Sequence, residues 1–308
     1  GAGYGFELFA AQKSQNRGIT NGLESSMGNI RHRVLPGRDP TAKTLPVGNG
    51  HGSGTLPAAN TAWFSRQTPV LTLRERKADT EMYEDTGFVM VAGGSARRFG
   101  GGNKLLLEAG GLPVFLHGVR EFAGAMPGRF VIVTPADQGE LFRSLAEKYC
   151  PEARILWATG GAVRSDSVRA GLAMLPDGVK FVAIHDAARP LATRELLAKV
   201  LERAREIGGA IPGKPVTDTL KRTDGEGVIS ETVDRADLWR VETPQVFDAA
   251  KLKQAYEAAA GREFTDDAGV MAAAGFDTGG GVNPRENLQI NYGRGAGAVV
   301  RLLEEQGR

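Results

Sequence analysis

The stretch Ala92-Gly93-Gly94-Ser95-Ala96-Arg97-Arg98-Phe99-Gly100-Gly101-Gly102-Asn103-Lys104 sets glycines and small residues beside cationic side chains. Glycines let backbone amides approach an anion closely and adopt φ > 0, and successive amides form a concave anion site. Arg98 and Lys104 can add full charges to it. Phosphate binding is the chemistry these residues suit. The spacing matches neither GxxxxGK[ST] nor GxGxxG, so a P-loop and a dinucleotide fingerprint are both poorly supported. Alone, the loop also fits a flexible glycine turn with solvated arginines.

Further polar blocks follow in order: Gly160-Gly161-Ala162-Val163-Arg164-Ser165-Asp166-Ser167-Val168, His185-Asp186-Ala187-Ala188-Arg189-Pro190, Thr217-Asp218-Thr219-Leu220-Lys221-Arg222, and Thr232-Val233-Asp234-Arg235 with Thr243-Pro244-Gln245. Asp186 follows an apolar run, which puts it at the carboxyl end of a strand, where ligands of open α/β sheets gather. It could also be a plain strand-end turn residue. His185 invites a general-base role, but no GxSxG lies in a strand–turn–helix context, so a Ser/His/Asp hydrolase is disfavoured and His185 reads as structural. Ser167 has two compatible readings, as N-cap of a helix starting near Val168 or as a hydroxyl facing a ligand. Arg235 has a planar fork suited to two phosphate oxygens, and could instead pair with Asp234 or Asp237.

These residues need a frame that gathers them. The apolar runs GFVMVAGG, RFVIVTP, RILWATG and FVAIHDAA alternate with amphipathic stretches at 112–125, 137–149, 163–175 and 193–207. Strands apolar on both faces suit a parallel sheet covered on both sides, so the expected fold is α/β: a doubly wound, three-layer, mostly parallel sheet. Helix-like segments at 249–260, 265–274 and 294–306 complete the outer layers, and residues 212–245 read as an extended β-arm.

Composition narrows the setting. The chain has 308 residues, 41% of them hydrophobic, enough for a sizeable core, and a formal net charge of +2 that argues against a nucleic-acid surface. Its one cysteine, Cys150, cannot close an internal disulfide and reads as a lone buried thiol in a reducing compartment, with the cytoplasm as default. No stretch approaches the roughly 18 apolar residues of a membrane span. Residues 1–85 are rich in Gly, Asn, Ser, Thr and Pro and show no sustained period, so they read as an extension with little structure, upstream of a native start near Met82. The domain is expected over 86–308.

Taken together, the glycine loop and the later blocks resemble the 2-C-methyl-D-erythritol 4-phosphate cytidylyltransferase family of the nucleoside-triphosphate sugar transferases, over roughly residues 87 to 291. The HDAARP block and the VDR…TPQ pair are specific; GGxxR and DT alone are weak. The resemblance implies transfer of CMP from CTP to a sugar-alcohol phosphate, with pyrophosphate leaving and no covalent enzyme intermediate. It implies that Arg98 and Lys104 hold the triphosphate and stabilise charge at the α-phosphate. Ala92, Gly93 and Gly94 would lie against the nucleotide, and Gly160, Gly161 and Ser167 around cytosine and ribose. Asp186 would touch ribose, substrate hydroxyls or a magnesium ion. A crossing arm would bring Thr219 and Arg235, with Arg189, to the second substrate at a homodimer interface, with Thr265 near its phosphate and Thr243 among the substrate-binding residues.

The sequence departs from this pattern in three places. Gln289 of Asn287-Leu288-Gln289-Ile290-Asn291 stands where the family carries a phosphate-positioning lysine, Asn103 replaces the proline usual before Lys104, and Tyr292-Gly293-Arg294-Gly295 lacks the usual continuation. Arg294 is a candidate substitute cation. Two alternatives therefore stand beside the main expectation: a ribitol-5-phosphate-type cytidylyltransferase, and a catalytically weak CTP-binding homologue. A nicotinamide oxidoreductase is disfavoured by the basic residues inside the loop.

Overall fold

A computed structural model describes residues 81–93, 103–291 and 293–306, so the expectations for residues 1–80 lie outside the described residues. The frame is built on β1 (Thr86–Val91), β4 (Phe130–Thr134), β5 (Ile155–Thr159) and β6 (Phe181–Asp186), all parallel, in spatial order β6-β1-β4-β5. Between β1 and β4 lie a small hairpin, β2 (Glu108–Ala109) and β3 (Leu112–Pro113), and helix α1 (Val114–Phe122). Helices α2 (Gly139–Tyr149), α3 (Arg164–Ala173) and α4 (Arg194–Ile207) follow β4, β5 and β6.

Because β-strand side chains alternate sides, each buried strand feeds two cores. Phe88, Met90, Phe130 and Ile132 pack with α1, α2, α4 and the C-terminal helix α7 (Gly293–Glu305). Val89, Val91, Val131 and Val133 pack with α3, α5 (Ala249–Ala258) and α6 (Asp267–Ala273) on the other face. This is the expected doubly wound, three-layer arrangement. A fully buried Phe or Leu contributes about 1.5–3 kcal/mol, and the stacked rings of Phe88, Phe122 and Phe130 anchor one core.

Gly171 governs how closely α3 approaches the sheet. A Cβ there would stand 2.3 Å from Val89 Cγ1 and 2.9 Å from Val133 Cγ2. Close packing at that point carries the start of α3 to the carboxyl ends of β1 and β4. Helix α4 is bounded by a Thr193 side-chain cap, which accepts from the Leu196 amide at 3.2 Å, and by left-handed Gly208.

The sheet continues beyond β6 through antiparallel β11 (Gln245–Asp248), then β7 (Gly209–Pro215) and β10 (Trp239–Val241), while β12 (Gly279–Val282) pairs parallel to β7. The expected arm at 212–245 is therefore shorter. Its two ends belong to the main sheet, and only the middle projects as a two-stranded hairpin, β8 (Leu220–Thr223) and β9 (Ile229–Val233). Pro212 lacks an amide donor, yet it still offers its carbonyl, which accepts from the Glu242 amide at 2.8 Å.

The packed fold also starts before residue 86. Tyr83 is buried in the first core and its hydroxyl donates to the Arg194 carbonyl at 3.1 Å. A single aromatic in a polar stretch carries no period, so composition set the boundary too late. Cys150 is half-buried at the end of α2, and burial raises its thiol pKa.

Candidate active site

Strand β1 runs in register with β6 so that Val91 stands opposite Asp186, and both strands release their loops at one edge. The strand order turns back on itself here, the position at which open α/β sheets hold ligands. The Ala92 amide donates to Val133 O at 2.8 Å, which holds the start of the glycine loop against β4.

The predicted nucleotide residues converge at this edge. A Cβ on Gly93 would lie 3.3 Å from Ser167 Oγ, and one on Gly160 only 2.7 Å away. Gly160 is fixed by its amide donating to Thr134 O at 2.8 Å, and Gly161 packs on Asp166. Ser167 is not an N-cap. Helix α3 begins at Arg164 with Val163 at the cap position, and the Ser167 hydroxyl donates back to Val163 O at 3.4 Å from within the first turn. Ala92, Gly93, Gly160, Gly161 and Ser167 thus form one small-residue cradle. Gly94 and Arg98 lie outside the described residues.

Beside the cradle, the Asp186 carboxylate faces three donors. Arg164 Nη2 is 3.5 Å from Oδ1, Arg189 Nε is 3.7 Å from Oδ2, and the Gln289 amide donates to Oδ2 at 3.3 Å. Arg189 also donates to Asn287 O at 2.9 Å, while the Ile290 amide donates to Ala188 O at 2.9 Å. The 287–291 segment is thereby laid across the end of β6. Lys104, the first residue of the Asn103-capped turn Lys104–Leu106, brings its Nζ to 3.5 Å from Asn291 Oδ1.

Arg164 was not among the residues expected to act. Its Nη2 lies 2.7 Å from Asp267 Oδ2, and Asp267 is fully buried and receives the Tyr256 hydroxyl at 2.5 Å on its other oxygen. Burial works against the Arg164 charge, but the Asp267 and then the Asp186 carboxylates prevail and hold its pKa above the usual arginine value. Burial likewise lowers Arg189, with Asp186 and Glu242 offsetting part of the shift. Two signals could have found them: the arginine of GGxxR stands three residues after the glycine pair, and Asp267 follows Thr265-Asp266 ahead of an apolar stretch.

Thr243 is buried and acts on Asp186 from behind. Its hydroxyl oxygen accepts the Asp186 amide at 3.1 Å and meets His185 Nδ1 at 2.9 Å, while its carbonyl accepts from Asn287 Nδ2 at 2.8 Å. His185 lies in the core against Phe88 and Phe122, and burial lowers its pKa to about 4 despite the nearby Asp186 charge. A neutral, enclosed imidazole cannot serve as an exposed base.

Thr219, Arg235 and Thr265 are not drawn into this cluster. Thr219 and Arg235 are exposed at the base of the hairpin, where Arg235 donates to the Thr217 carbonyl rather than to Asp234 or Asp237. Thr265 is exposed just ahead of the Asp266 cap of α6. Among the described residues no group of three or more His, Cys, Asp and Glu could hold a metal ion by itself. Asp186 is a single carboxylate with its side chain 22% exposed and its donors at 3.3–3.7 Å. That suits a magnesium ion whose remaining ligands come from phosphate and water, because Mg²⁺ commonly takes only one or two protein carboxylates.

The sequence model of the 2-C-methyl-D-erythritol 4-phosphate cytidylyltransferase family matches residues 87–292. A relative of that name from Bacillus velezensis is 39% identical over 186 residues, covering 59% of this chain and 79% of the relative. A bifunctional IspD/IspF enzyme from Clavibacter michiganensis subsp. michiganensis is 42% identical over 194 residues, covering 61% of this chain. The chain spans 47% of that bifunctional relative's length. The crystal structure of the Thermus thermophilus 2-C-methyl-D-erythritol 4-phosphate cytidylyltransferase superposes with a TM-score of 0.58 at 28% identity, covering 70% of this chain and 98% of the other. With the glycine cradle, the Asp186 cluster and the Rossmann-like nucleotidyltransferase sheet in one arrangement, the chain belongs to the 2-C-methyl-D-erythritol 4-phosphate cytidylyltransferase family.

Proposed function

We propose that this chain transfers CMP from CTP to 2-C-methyl-D-erythritol 4-phosphate, releasing pyrophosphate and giving 4-diphosphocytidyl-2-C-methyl-D-erythritol for isoprenoid precursor synthesis. The observation that carries the reading is the meeting of the Gly93–Gly160–Ser167 cradle with the Asp186–Arg164–Arg189–Gln289 cluster at one sheet edge. An anionic phosphate oxygen attacks the α-phosphorus, so no general base is needed, and catalysis consists of positioning and charge stabilisation. Lys104, and Arg98 in the glycine loop, hold the triphosphate and neutralise charge at the α-phosphate. The cradle's backbone groups take the cytosine and ribose, with the Ser167 hydroxyl set close against Gly93 and Gly160. Asp186 orients substrate hydroxyls and is the residue that would hold Mg²⁺, which when bound neutralises triphosphate oxygens.

Arg189 lies at the Asp186 end of the second substrate's site. Gln289 offers a neutral amide donor to the same place, and the approach of Lys104 to Asn291 supplies a cation to that segment. The exposed hairpin supports a homodimer in which Thr219 and Arg235 of one subunit complete the neighbour's site, with Thr265 near the phosphate. No described helix is long and apolar enough to cross a membrane, and the single cysteine is free, which supports a cytoplasmic enzyme. The test is pyrophosphate release from CTP with Mg²⁺ and 2-C-methyl-D-erythritol 4-phosphate. Turnover that fails when UTP or ATP replaces CTP is expected; binding of CTP with no turnover would favour the catalytically weak homologue.

A further inference from the structure

The buried carboxylate of Asp267 has no place in the reaction described above, yet it holds Arg164 more closely than Asp186 does. Its Oδ2 stands 2.7 Å from Arg164 Nη2, against 3.5 Å from the same nitrogen to Asp186 Oδ1. Its Oδ1 receives the Tyr256 hydroxyl at 2.5 Å, and Arg169 lies over the Tyr256 ring at 5.3 Å and donates to its carbonyl at 3.3 Å. A carboxylate removed wholly from water is stable only when both oxygens are matched by donors, and here both are. One guanidinium therefore sits between two carboxylates of unequal hold. The inner one takes the strong, charge-assisted bond, and the outer one keeps a loose contact with lone pairs still open to a ligand.

The geometry points to Asp267 as a positioning residue: it holds Arg164 back from Asp186, so that Asp186 balances the guanidinium charge without being closed into a tight ion pair. This inference rests on the cytidylyltransferase reading for the use made of Asp186. Arg164 opens the helix that carries Ser167 to the cradle, and Asp186 ends β6, so the same contact fixes the distance between the nucleotide cradle and the second substrate's end of the site. Without the Asp267 charge, Arg164 would turn to Asp186, the other carboxylate it already approaches, and occupy it.

The experiment is a double-mutant cycle on the full chain between Asp267→Asn and Asp186→Asn, residues joined through Arg164. Asp267→Asn is expected to lower kcat/KM about tenfold or more, and to cost little further in the Asp186→Asn background, because its effect passes through Asp186. Tyr256→Phe, which keeps the carboxylate and removes one of its two donors, is expected to lower kcat/KM about two- to fivefold, and it takes the place of Asp267→Asn in the cycle if that variant does not fold. Additive losses, or variants that lower thermal stability while leaving the kinetics of the folded protein unchanged, would overturn the assignment. The cycle is read a second time in the calorimetric affinity for CTP with Mg²⁺. A wild type that binds CTP without turnover would sink the functional reading, while the coupling in CTP affinity would still decide the role of Asp267.

Discussion

The carboxyl edge of the sheet and the β8–β9 hairpin hold the residues expected to act, but on different terms. At the edge, Asp186 is fixed through its own amide by buried Thr243, its carboxylate accepts from Gln289 and is approached by Arg164 and Arg189, and fully buried Asp267 holds Arg164 from behind. On the hairpin, Thr219 and Arg235 are exposed, and Val228 and Ile229 at its turn are each 61% exposed. Large apolar side chains presented to water beside an edge with open backbone groups suit coverage by another surface. The contrast separates residues held by the protein's own core from exposed hairpin residues that, in the homodimer proposed above, would act in a neighbouring copy of the chain.

Subunit mixing gives the largest effect. Asp186→Asn and Arg235→Ala are each expected to lower kcat/KM by about 100-fold, the scale of one lost preorganised contact. If the hairpin works across subunits, a one-to-one mixture refolded or expressed together recovers about a quarter of wild-type activity, since half the dimers are mixed and one site in each is intact. A mixture no better than the two variants assayed apart would return Arg235 to its own subunit. Thermal stability should distinguish the two as well, with Arg235→Ala near wild type, as exposed substitutions usually are.

A second prediction concerns only the rigid half. The unfolded chain protonates His185 near pH 6.5, whereas the folded chain, by burial, resists protonation until about pH 4. Stability is therefore lost as pH falls from about 6.5 to about 4, at about 1.4 kcal/mol per pH unit and so a few kcal/mol in all, with no contribution to the slope above this window. Denaturant unfolding at pH 7 and pH 5 checks this against His185→Asn, in which the slope should flatten. An unchanged slope would mean that the imidazole is not held neutral by the fold. The smallest effect is expected from Gln289→Lys, which adds a cation next to the Asp186 carboxylate and should lower KM for the sugar phosphate severalfold with little change in kcat. No change in KM would show that residue 289 does not face that phosphate.

The same contrast explains how much was legible in the sequence. The apolar runs ending at Val91, Thr134 and Asp186 dictate buried parallel strands, and the cradle lies where the chain leaves β1 and β5 and enters α3. Gly279–Val282 is a strand without strand composition, since three glycines offer no side chain to pack. It exists through its parallel pairing with β7, and a Cβ on Gly279 would stand 2.3 Å from Ile207 Cδ1 of α4, so glycine lets the strand run close under that helix. Arg164 and Asp267 were missed as a pair because they lie far apart in sequence and only the packing of α3, β6 and α6 brings them together. Thr243 was read as meeting substrate, and the sequence did not show that its buried hydroxyl also accepts the Asp186 amide and meets His185. Thr219 and Arg235 were expected at the second substrate, and both are exposed, so no packing within this chain fixes where their side chains rest.

The most direct measurement offers 2-C-methyl-D-erythritol 4-phosphate and ribitol 5-phosphate together to the protein with limiting CTP and Mg²⁺, and identifies the cytidine diphosphate product by mass. The account predicts 4-diphosphocytidyl-2-C-methyl-D-erythritol as the dominant product, with pyrophosphate released in equal amount. Predominant formation of CDP-ribitol, or consumption of neither substrate by protein that binds CTP, would contradict it.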